Sequence, residues 1–452
     1  MWIERDNKKQ ALIDAAKALR SQVLVVRGAR QVGKTSFVLD ALKALSGHPQ
    51  VRINLSLQRG GVIDGVDYFG RDFFGAAEDA GQFLHNVSLL LGPIERLASA
   101  AVIFIDEADR HPVSLEAVQT LAGLSDKLKV IYTGSNLENI AVKNSATGRK
   151  LHFDLYPITF REFLRAYGKQ TELAYLDGIS LDDKTFSEMH HHALNDHFAL
   201  YLRLGGMPRV LDAFLDAQAD RGRIPGIIAD LAGTIEENVK SVLGEKTALY
   251  EYEDVLRRLA FLSMDTLKFS RLQVNHAGRG EAKRLVNKTV GARVAHKIRL
   301  WDSGTDLSKY ILFDAGVLNY LLNGSDLLGS KAADSHRAVQ YETAVGNEII
   351  AALPTRDDLF YWKSKRGAQV EFILRSPRLT AIDVKSTRGD VRSLDSCAVF
   401  EKEVECLVKI SQGLPRRTVN YEARVAGAEA SRRIELRTLP YYLSGRLLEL
   451  LA

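Results

Sequence analysis

The sequence has little of what stabilises secreted or membrane-spanning proteins. Among 452 residues there are two cysteines, Cys397 and Cys406, too few for a disulfide framework or a four-cysteine zinc site. No apolar stretch approaches the roughly 20 residues that a membrane-spanning helix needs. The first six residues lack the basic and then apolar layout of an export signal. We therefore expect a cytoplasmic location without membrane contact.

The chain does have the composition of a large globular protein. Hydrophobic residues make up 46% and charged residues 26%, which provides enough apolar side chains for buried sheets. A length of 452 residues exceeds what one hydrophobic core usually supports, so we expect two or three domains. The formal net charge of +5 is modest, and the places where basic residues cluster are more informative than their sum.

A phosphate-binding pattern stands near the amino terminus. The string G-x-x-x-x-G-K-T follows the apolar run 23–26 and opens the amphipathic segment 36–45, so a strand leads into a glycine-rich loop and then a helix. The helix directs unpaired N–H groups at an anion. Lys34 is expected to contact the β and γ phosphates, and Thr35 to bind Mg²⁺. The predicted residues of this nucleoside triphosphate site are Gly28, Ala29, Arg30, Gln31, Val32, Gly33, Lys34, Thr35 and Ser36.

A strand that ends in two acids predicts the other half of this site. Residues 101–105 are apolar, and Asp106 and Glu107 follow them, a pattern typical of a buried parallel strand with functional residues at its carboxyl end. Asp106 is predicted to position Mg²⁺. Glu107 points elsewhere and is predicted to be the general base that activates water. An acidic pair that merely ends a strand in solvent is the alternative.

Three further residues are candidates for contact with the γ-phosphate. The strand 129–132 runs into Thr-Gly-Ser-Asn, where Ser135 or Asn136 could hold the lytic water, although a turn alone also favours these residue types. Arg149 is predicted to face away from its own phosphate loop. It could therefore stabilise charge at a neighbouring subunit's nucleotide, or it is an ordinary surface arginine.

These motifs resemble those of a known group. With Tyr-Pro-Ile-Thr-Phe-Arg-Glu-Phe at 156–163, Gly-Gly-Met-Pro at 205–208 and Phe-Asp-Ala-Gly-Val at 313–317, the sequence resembles bacterial and archaeal AAA-type ATPases that carry a C-terminal region of the DUF4143 type. The resemblance covers nearly the whole chain. It implies an α/β fold class with a five-stranded parallel sheet of the P-loop NTPase type. An additional strand would lie between the strand of the phosphate loop and the acid strand.

The middle of the chain is predicted to be helical and then mixed. After a P-loop core at 1–163, residues 164–245 read as a helical lid with breaks at Gly205-Gly206 and Pro225-Gly226. Residues 246–325 give a helix, a short helix, a basic helix from Gly280 through Lys297 and two strands. This order is typical of a winged helix-turn-helix, in which the basic helix enters the major groove of DNA.

Basic residues concentrate in the predicted winged helix. They are Arg257, Arg258, Lys268, Arg271, Arg279, Lys283, Arg284, Lys288, Arg293, Lys297 and Arg299. Such a concentration of positive charge predicts contact with a phosphate backbone and therefore DNA as a partner. A winged-helix fold used only to pack against protein is the alternative.

A second group of acids lies in residues 326–452. A helix is predicted at 340–349 and strands at 359–363, 369–374 and 380–385. Asp383 and Lys385 are two apart on one strand and share a face, with Glu371 on the preceding strand and Glu342 on the helix. Lys385 alone cannot neutralise these acids, so one or two divalent cations, Mg²⁺ or Mn²⁺, could bind here and activate water against a phosphodiester.

This arrangement resembles the PD-(D/E)xK nuclease superfamily. Glu371 matches the first acid, Asp383 and Lys385 match the acid-x-lysine element, and Glu342 matches the helical acid. The resemblance implies that Asp383 and Lys385 are catalytic and that Glu342, Glu371 and Asp383 are metal ligands. Related chains more often have Asp where this chain has Glu371, and Glu where it has Asp383, changes that alter metal geometry. A nuclease fold kept for DNA or protein contact is the alternative.

The sequence as a whole predicts a homo-oligomeric ATPase with ATP and Mg²⁺ as cofactors. Its nucleotide cycle would move a winged-helix and nuclease-like arm on DNA. The competing interpretation is a nucleotide-dependent switch that binds protein or DNA without translocation or cleavage. Stimulation of ATP turnover by DNA would discriminate between the two.

Overall fold

The computed structural model describes most of the chain in ranges separated by short gaps. These ranges are residues 3–5, 8–63, 65–74, 77–91, 101–140, 149–183, 185–216, 220–243, 249–272, 279–302, 304–323, 334–385, 389–425 and 430–452. Within them, the strands are β1 (Val23–Arg27), β2 (Gln50–Asn54), β3 (Gly61–Ile63), β4 (Val66–Tyr68), β5 (Val102–Asp106), β6 (Lys129–Gly134), β7 (Lys150–Asp154), β8 (Ala295–Leu300), β9 (Ser308–Leu312), β10 (Leu359–Lys363), β11 (Gln369–Leu374), β12 (Thr380–Val384), β13 (Cys406–Ser411), β14 (Arg416–Arg424) and β15 (Ser431–Pro440). The helices are α1 (Lys8–Ala18), α2 (Lys34–Leu42), α3 (Arg71–Phe74), α4 (Ala80–Leu91), α5 (Pro112–Leu124), α6 (Phe160–Ala166), α7 (Gln170–Gly178), α8 (Glu188–Leu204), α9 (Pro208–Leu215), α10 (Ile224–Lys240), α11 (Leu249–Phe261), α12 (Arg279–Gly291), α13 (Ala315–Asn323), α14 (Asp334–Ala352), α15 (Arg392–Phe400) and α16 (Leu447–Leu451).

The first sheet is parallel and has the strand order β2-β5-β6-β1-β7. All residues of β5 are buried, and β1 is buried in all but its last residue, because helices cover both faces of a parallel sheet. Strand β6 lies between β1 and β5, as expected for the additional strand. The predicted α/β class with a parallel central sheet is confirmed.

The helical segment after this sheet contains one correction. Helix α8 ends at Leu204 and α9 begins at Pro208, which matches the expected break at Gly205-Gly206. The expected break at Pro225-Gly226 is wrong, because α10 begins at Ile224 and has Pro225 in its first turn. Proline is tolerated there since the first turn requires no intrahelical N–H bond from it.

The region predicted as a winged helix shares a sheet with the C-terminal region. Helices α11 and α12 precede the antiparallel pair β8 and β9. Strand β8 also pairs with β10, and the second sheet has the order β14-β15-β13-β12-β11-β10-β8-β9. The domain division at 325/326 therefore passes through one sheet. The bounds of the four predicted domains and the winged-helix assignment stay predictions.

Two expected boundaries in these regions differ from the structure. Helix α12 ends at Gly291, so His296 and Lys297 lie in β8 rather than in the helix. The chain turns at Arg293, which has a φ of 62°. Strand β12 ends at Val384, which places Lys385 just beyond it.

Cys397 and Cys406 are buried free thiols. Among the described residues, no helix is long and apolar enough to cross a membrane.

A buried polar junction joins the first sheet to the later regions. The Phe160 N–H donates to Glu348 Oε1 at 2.9 Å, and the Tyr201 hydroxyl donates to the same oxygen at 3.0 Å. The Gly206 N–H donates to Asp314 Oδ2 at 2.7 Å. A Cβ on Gly206 would lie 2.1 Å from the carbonyl oxygen of Ile158, so glycine is required for this approach. The motifs at 205–208 and 313–317, on which the sequence resemblance partly rests, therefore pack against each other at this junction.

Glu348 makes this junction sensitive to pH. Burial raises its pKa to about 7, against the opposing effect of the donors at Phe160 and Tyr201. A carboxyl with a raised folded pKa stabilises the fold below its unfolded pKa and loses that contribution as pH rises through about 7. We expect Glu348→Gln to raise the melting temperature above that of the wild type at pH 8 and to change it little at pH 5. The linked free energy is on the order of 3 kcal/mol.

Thermal unfolding at the two pH values would measure this effect. Glu449→Gln is a matched control, because the Glu449 side chain is 56% exposed and its substitution should not alter the pH dependence. If Glu348→Gln changed the melting temperature equally at pH 5 and pH 8, the pH dependence of stability would not come from the Glu348 carboxyl.

Candidate nucleotide site

The phosphate loop lies where β1 ends and α2 begins. Gly33 has a φ of 89° immediately before Lys34, the first residue of α2, a conformation that side chains disfavour. A Cβ on Gly28 would lie 2.4 Å from the carbonyl oxygen of Leu155, so this position also requires glycine. The first N–H groups of an α-helix lack intrahelical acceptors. The amino end of α2 therefore offers donors to an anion.

Lys34 is held over this loop by neutral acceptors. Its Nζ donates to the carbonyl oxygens of Gly28 at 3.1 Å and Ala29 at 2.9 Å, and to Ser135 Oγ at 3.1 Å. Burial lowers the pKa of the ammonium, while the carboxylates of Glu107, Asp109 and Asp106 oppose that shift.

Asp106 is the centre of a buried hydrogen-bond cluster. It is 1% exposed, and its carboxylate accepts from Thr35 Oγ1 at 2.9 Å, from Asn54 Nδ2 at 3.1 Å and from the Thr133 hydroxyl. Burial raises its pKa, and the donors at Thr133 and Thr35 oppose the shift. The sequence pattern gave no role to Asn54 and placed Thr133 only among the polar residues that follow the strand 129–132. The sequence feature that could have indicated both residues is their position at or near the carboxyl end of a strand. These two strands, β2 and β6, are the neighbours of β5.

The oxygen donors at this position fit Mg²⁺. The Thr35 hydroxyl and the Asp106 carboxylate lie 2.9 Å apart at the end of the phosphate loop, and hard oxygen ligands are what Mg²⁺ takes in proteins. Among the described residues, no group of three or more His, Cys, Asp or Glu side chains is arranged to hold a metal ion. A nucleotide-site cation receives most of its ligands from phosphate and water.

Glu107 follows Asp106 but turns away from it. Its backbone has a φ of 54°, in the left-handed region, so its side chain does not continue the direction of β5. Its Oε2 lies 3.5 Å from Arg30 Nη1 and 3.9 Å from Arg110 Nε. Burial raises its pKa, and Lys34 opposes that shift. The side chain retains 18% exposure, so a carboxylate beside the loop is within reach of water as a base.

The side chains of Ser135 and Asn136, at the carboxyl edge of the first sheet, contact different parts of the structure. Ser135 accepts from Lys34, whereas Asn136 is 2% exposed and donates from Nδ2 to the backbone oxygen of Asn238 at 2.7 Å. Their backbone N–H groups both donate to Asp109 Oδ2, at 3.2 and 2.9 Å. The structure thus brings Ser135 to the loop lysine and Asn136 to helix α10.

Arg149 is not brought to this site. It is exposed and directly precedes β7, and its carbonyl oxygen accepts from the N–H of Val23, where β1 begins. The phosphate loop lies at the opposite end of β1. Arg149 therefore stands at the amino edge of the sheet and faces away from the loop of its own chain. Gly148, which precedes it, lies outside the described residues.

The C-terminal acids also form a cluster. Lys385 Nζ lies 2.7 Å from Asp383 Oδ1, and the Val384 N–H donates to Glu371 Oε2 at 3.3 Å. Burial, followed by contact with Glu371, raises the pKa of Asp383 to about 9. Burial and the nearby Glu371 raise the pKa of Glu342 to about 8. The predicted acids and lysine therefore converge on one side of β11 and β12.

A second lysine in this cluster changes the expected balance of charge. Lys309 of β9 is fully buried, and its Nζ lies 5.1 Å from the centre of the Tyr361 ring. Burial lowers its pKa, while Glu371 and Glu342 oppose that shift. The fold therefore places a second lysine, Lys309, near these acids in addition to Lys385 of the motif. The metal roles of Glu342, Glu371 and Asp383 stay predictions. Within the part of the chain that the structure describes, no group of three or more His, Cys, Asp or Glu side chains is arranged to hold a metal ion.

Part of the positive charge predicted to meet DNA is paired within the chain. Lys288 Nζ of α12 donates to the carbonyl oxygen of Asn139 at 2.9 Å, and Asn139 Nδ2 donates to the carbonyl oxygen of Lys288 at 2.9 Å. Arg293 is 5% exposed and pairs with Glu138 and Asp154. The basic region therefore docks on the segment that follows β6.

Comparison with known families assigns the first sheet and its loop. Residues 20–164 match the family model described as an AAA domain, and this range contains β1, α2, β5 and β6. A comparison with curated proteins gives no match. This part of the chain is therefore a P-loop AAA domain, and the match ends before the helical segment.

Solved structures share weaker likenesses with the chain. They include Caenorhabditis elegans PCH-2, at 13% identity over 51% of this chain and 63% of that chain with a TM-score of 0.27. A structure of Drosophila ORC bound to DNA is 14% identical over 72% and 87%, with a TM-score of 0.28. Pif1 helicase from Candida albicans is 14% identical over 43% and 47%, with a TM-score of 0.23. At these values, the function of none of these proteins transfers to this chain.

Proposed function

We propose that the chain binds ATP with Mg²⁺ and hydrolyses it at the carboxyl edge of the first sheet. The observation that carries this proposal is the adjacency of Thr35 and Asp106, at 2.9 Å, beside the buried Lys34 and the partly accessible Glu107. A protein that only binds phosphate has no need of the second acid. The AAA-domain match over residues 20–164 supports the same conclusion.

Each residue has a role that follows from its position. The N–H groups at the start of α2 and the Lys34 ammonium would bind the β and γ phosphates. Thr35 and Asp106 would hold Mg²⁺, which neutralises phosphate charge when bound. Glu107 would accept a proton from water as the water oxygen bonds to the γ-phosphorus and the bond to the oxygen of ADP breaks.

Substitution of Glu107 separates binding from hydrolysis. Because Glu107 would act on water and not on phosphate, Glu107→Gln should bind ATP with near wild-type affinity but turn it over at least about a hundredfold more slowly. Lys34→Ala should weaken ATP binding itself. Titration with a fluorescent ATP analogue and a phosphate-release assay would measure both properties. Wild-type turnover by Glu107→Gln would contradict its role as base.

DNA is the partner that we propose for the basic region. Several arginine and lysine side chains there are half exposed or more, namely Arg257, Arg271, Lys283 and Arg299. Their surface ion pairs contribute little and can be exchanged for phosphates. The phosphate-release assay should therefore be run with and without duplex DNA at two salt concentrations. Turnover that DNA does not change would favour the nucleotide-dependent switch instead.

We also propose that the chain forms a homo-oligomer in which Arg149 serves a neighbouring nucleotide. Its position at the amino edge of the sheet leaves it free of its own loop. An equal mixture of Arg149→Ala and Lys34→Ala chains should regain part of the ATPase activity, because some interfaces would combine an intact arginine with an intact loop. Size-exclusion chromatography would verify co-assembly. Co-assembled chains that regain nothing would place Arg149 outside catalysis.

Phosphodiester cleavage by the C-terminal cluster is the second candidate function. It is favoured by the convergence of Glu371, Asp383 and Lys385, with 2.7 Å between the last two. Opposed to it is Lys309, a buried lysine near Glu371 and Glu342 whose ammonium would supply positive charge without a metal ion. A buried cluster of two lysines and three acids can stabilise the sheet without any reaction.

A plasmid assay would decide between these roles. We expect weak nicking of supercoiled DNA with Mn²⁺ or Mg²⁺, lost in Asp383→Ala and Lys385→Ala while ATP turnover persists. Asp357→Ala is a matched control, since the Asp357 side chain is 85% exposed. The absence of nicking with either cation, together with no heat of Mn²⁺ binding in the folded wild type, would reduce the cluster to a structural role.

A further inference from the structure

Helix α10 reaches the nucleotide site through Asn238, near its carboxyl end. Asn238 is 3% exposed. Its Oδ1 accepts from Arg30 Nη1 at 3.4 Å, and its backbone oxygen accepts from Asn136 Nδ2 at 2.7 Å. One residue of the helical segment therefore contacts both the phosphate loop and the polar segment after β6.

The orientation of the Asn238 amide is fixed by its neighbour. A guanidinium has only donors, so Oδ1 faces Arg30 and Nδ2 faces the other way. Nδ2 is buried and has no hydrogen-bond partner among the described residues. An unpaired buried donor costs about 1–3 kcal/mol. A donor retained next to a phosphate loop suits an acceptor oxygen that arrives with the ligand.

Arg30 extends this contact to Glu107. The guanidinium lies 3.5 Å from Glu107 Oε2, so Arg30 stands between helix α10 and the proposed base. The left-handed backbone of Glu107 releases its side chain from the direction of β5. One nitrogen of Arg30, Nη1, lies near both the Glu107 carboxylate and the Asn238 amide oxygen, so the ion pair links the orientation of Glu107 to Asn238.

We propose that Arg30 and Asn238 are positioning residues for ATP hydrolysis. Arg30 sets the orientation of Glu107, and Asn238 sets the position of Arg30. Hydrolysis then depends on whether helix α10 is docked against the phosphate loop. The inference rests on the proposed ATPase function and adds to it the means by which the helical segment controls the reaction.

Kinetics of the variants would separate positioning from binding. Arg30→Ala and Asn238→Ala should each lower kcat by at least about tenfold, since a misplaced reacting group slows chemistry more than binding. KM should change much less. Arg30→Lys should recover part of kcat, and the double variant should be no slower than the slower single variant, because both act through one contact.

A matched control is an exposed contact between helices α9 and α10. Arg209→Ala removes an ion pair with Asp230 of α10 in which the two side chains are 52% and 67% exposed, and it should retain wild-type kinetics. Wild-type kcat in both Arg30→Ala and Asn238→Ala, or a loss confined to KM, would overturn the proposal.

Hydrogen exchange provides a readout that does not need turnover. A non-hydrolysable ATP analogue should slow amide exchange at the carboxyl end of α10 in the wild type and in Arg209→Ala, but not in Arg30→Ala or Asn238→Ala. Equal slowing in all four proteins, or none in a wild type that binds the analogue, would overturn the coupling. If the wild type did not turn over ATP, the ATPase proposal would be overturned instead. The exchange data alone would then show whether nucleotide binding is coupled to helix α10.

Discussion

The AAA domain depends on one buried carboxylate. Asp106 is held by hydrogen bonds from Thr35 of α2, Asn54 of β2 and Thr133 of β6. A buried carboxylate without donors would be protonated or would destabilise the fold. These donors therefore keep an anion available where Mg²⁺ would bind, and they fix two strands and the phosphate loop relative to each other. Stability and the proposed chemistry depend on the same contacts.

The carboxyl edge of the first sheet is also where the later regions attach. Glu138 and Asp154 pair with Arg27 of β1 and with the buried Arg293, while Asn139 exchanges hydrogen bonds with Lys288 of α12. Glu138 and Asn139 come directly after the polar segment that contacts Lys34 and α10. A movement of this segment in response to nucleotide would therefore have to strain or break contacts with the basic region.

Local sequence patterns predicted the first sheet well, but they could not predict contacts between strands that are distant in the sequence. The phosphate loop and the strand that ends at Asp106 were read correctly because each depends on a short run of residues, whereas the place of the additional strand followed from the family resemblance. Lys309 was missed because β9 and β11 are separated in the sheet by β8 and β10, an order that no local pattern encodes. The end of α12 was misplaced because Arg293 adopts a conformation with positive φ that is uncommon for arginine. Asn238 was missed because only the packing of α10 brings it to the loop.

The basic region illustrates why charge in a sequence does not equal charge available to a partner. Lys283 pairs with Asp306 at 2.7 Å with both side chains about half exposed, and such a pair contributes about 0–1 kcal/mol. A DNA phosphate can compete for that lysine. Arg293 is different, because its side chain is 6% exposed and its partners are carboxylates of the AAA domain. Removing it from them would leave a buried guanidinium without its carboxylate partners. The exposed arginines and lysines are therefore the ones able to bind a phosphate backbone, whereas Arg293 and Lys288 hold the basic region to the nucleotide site.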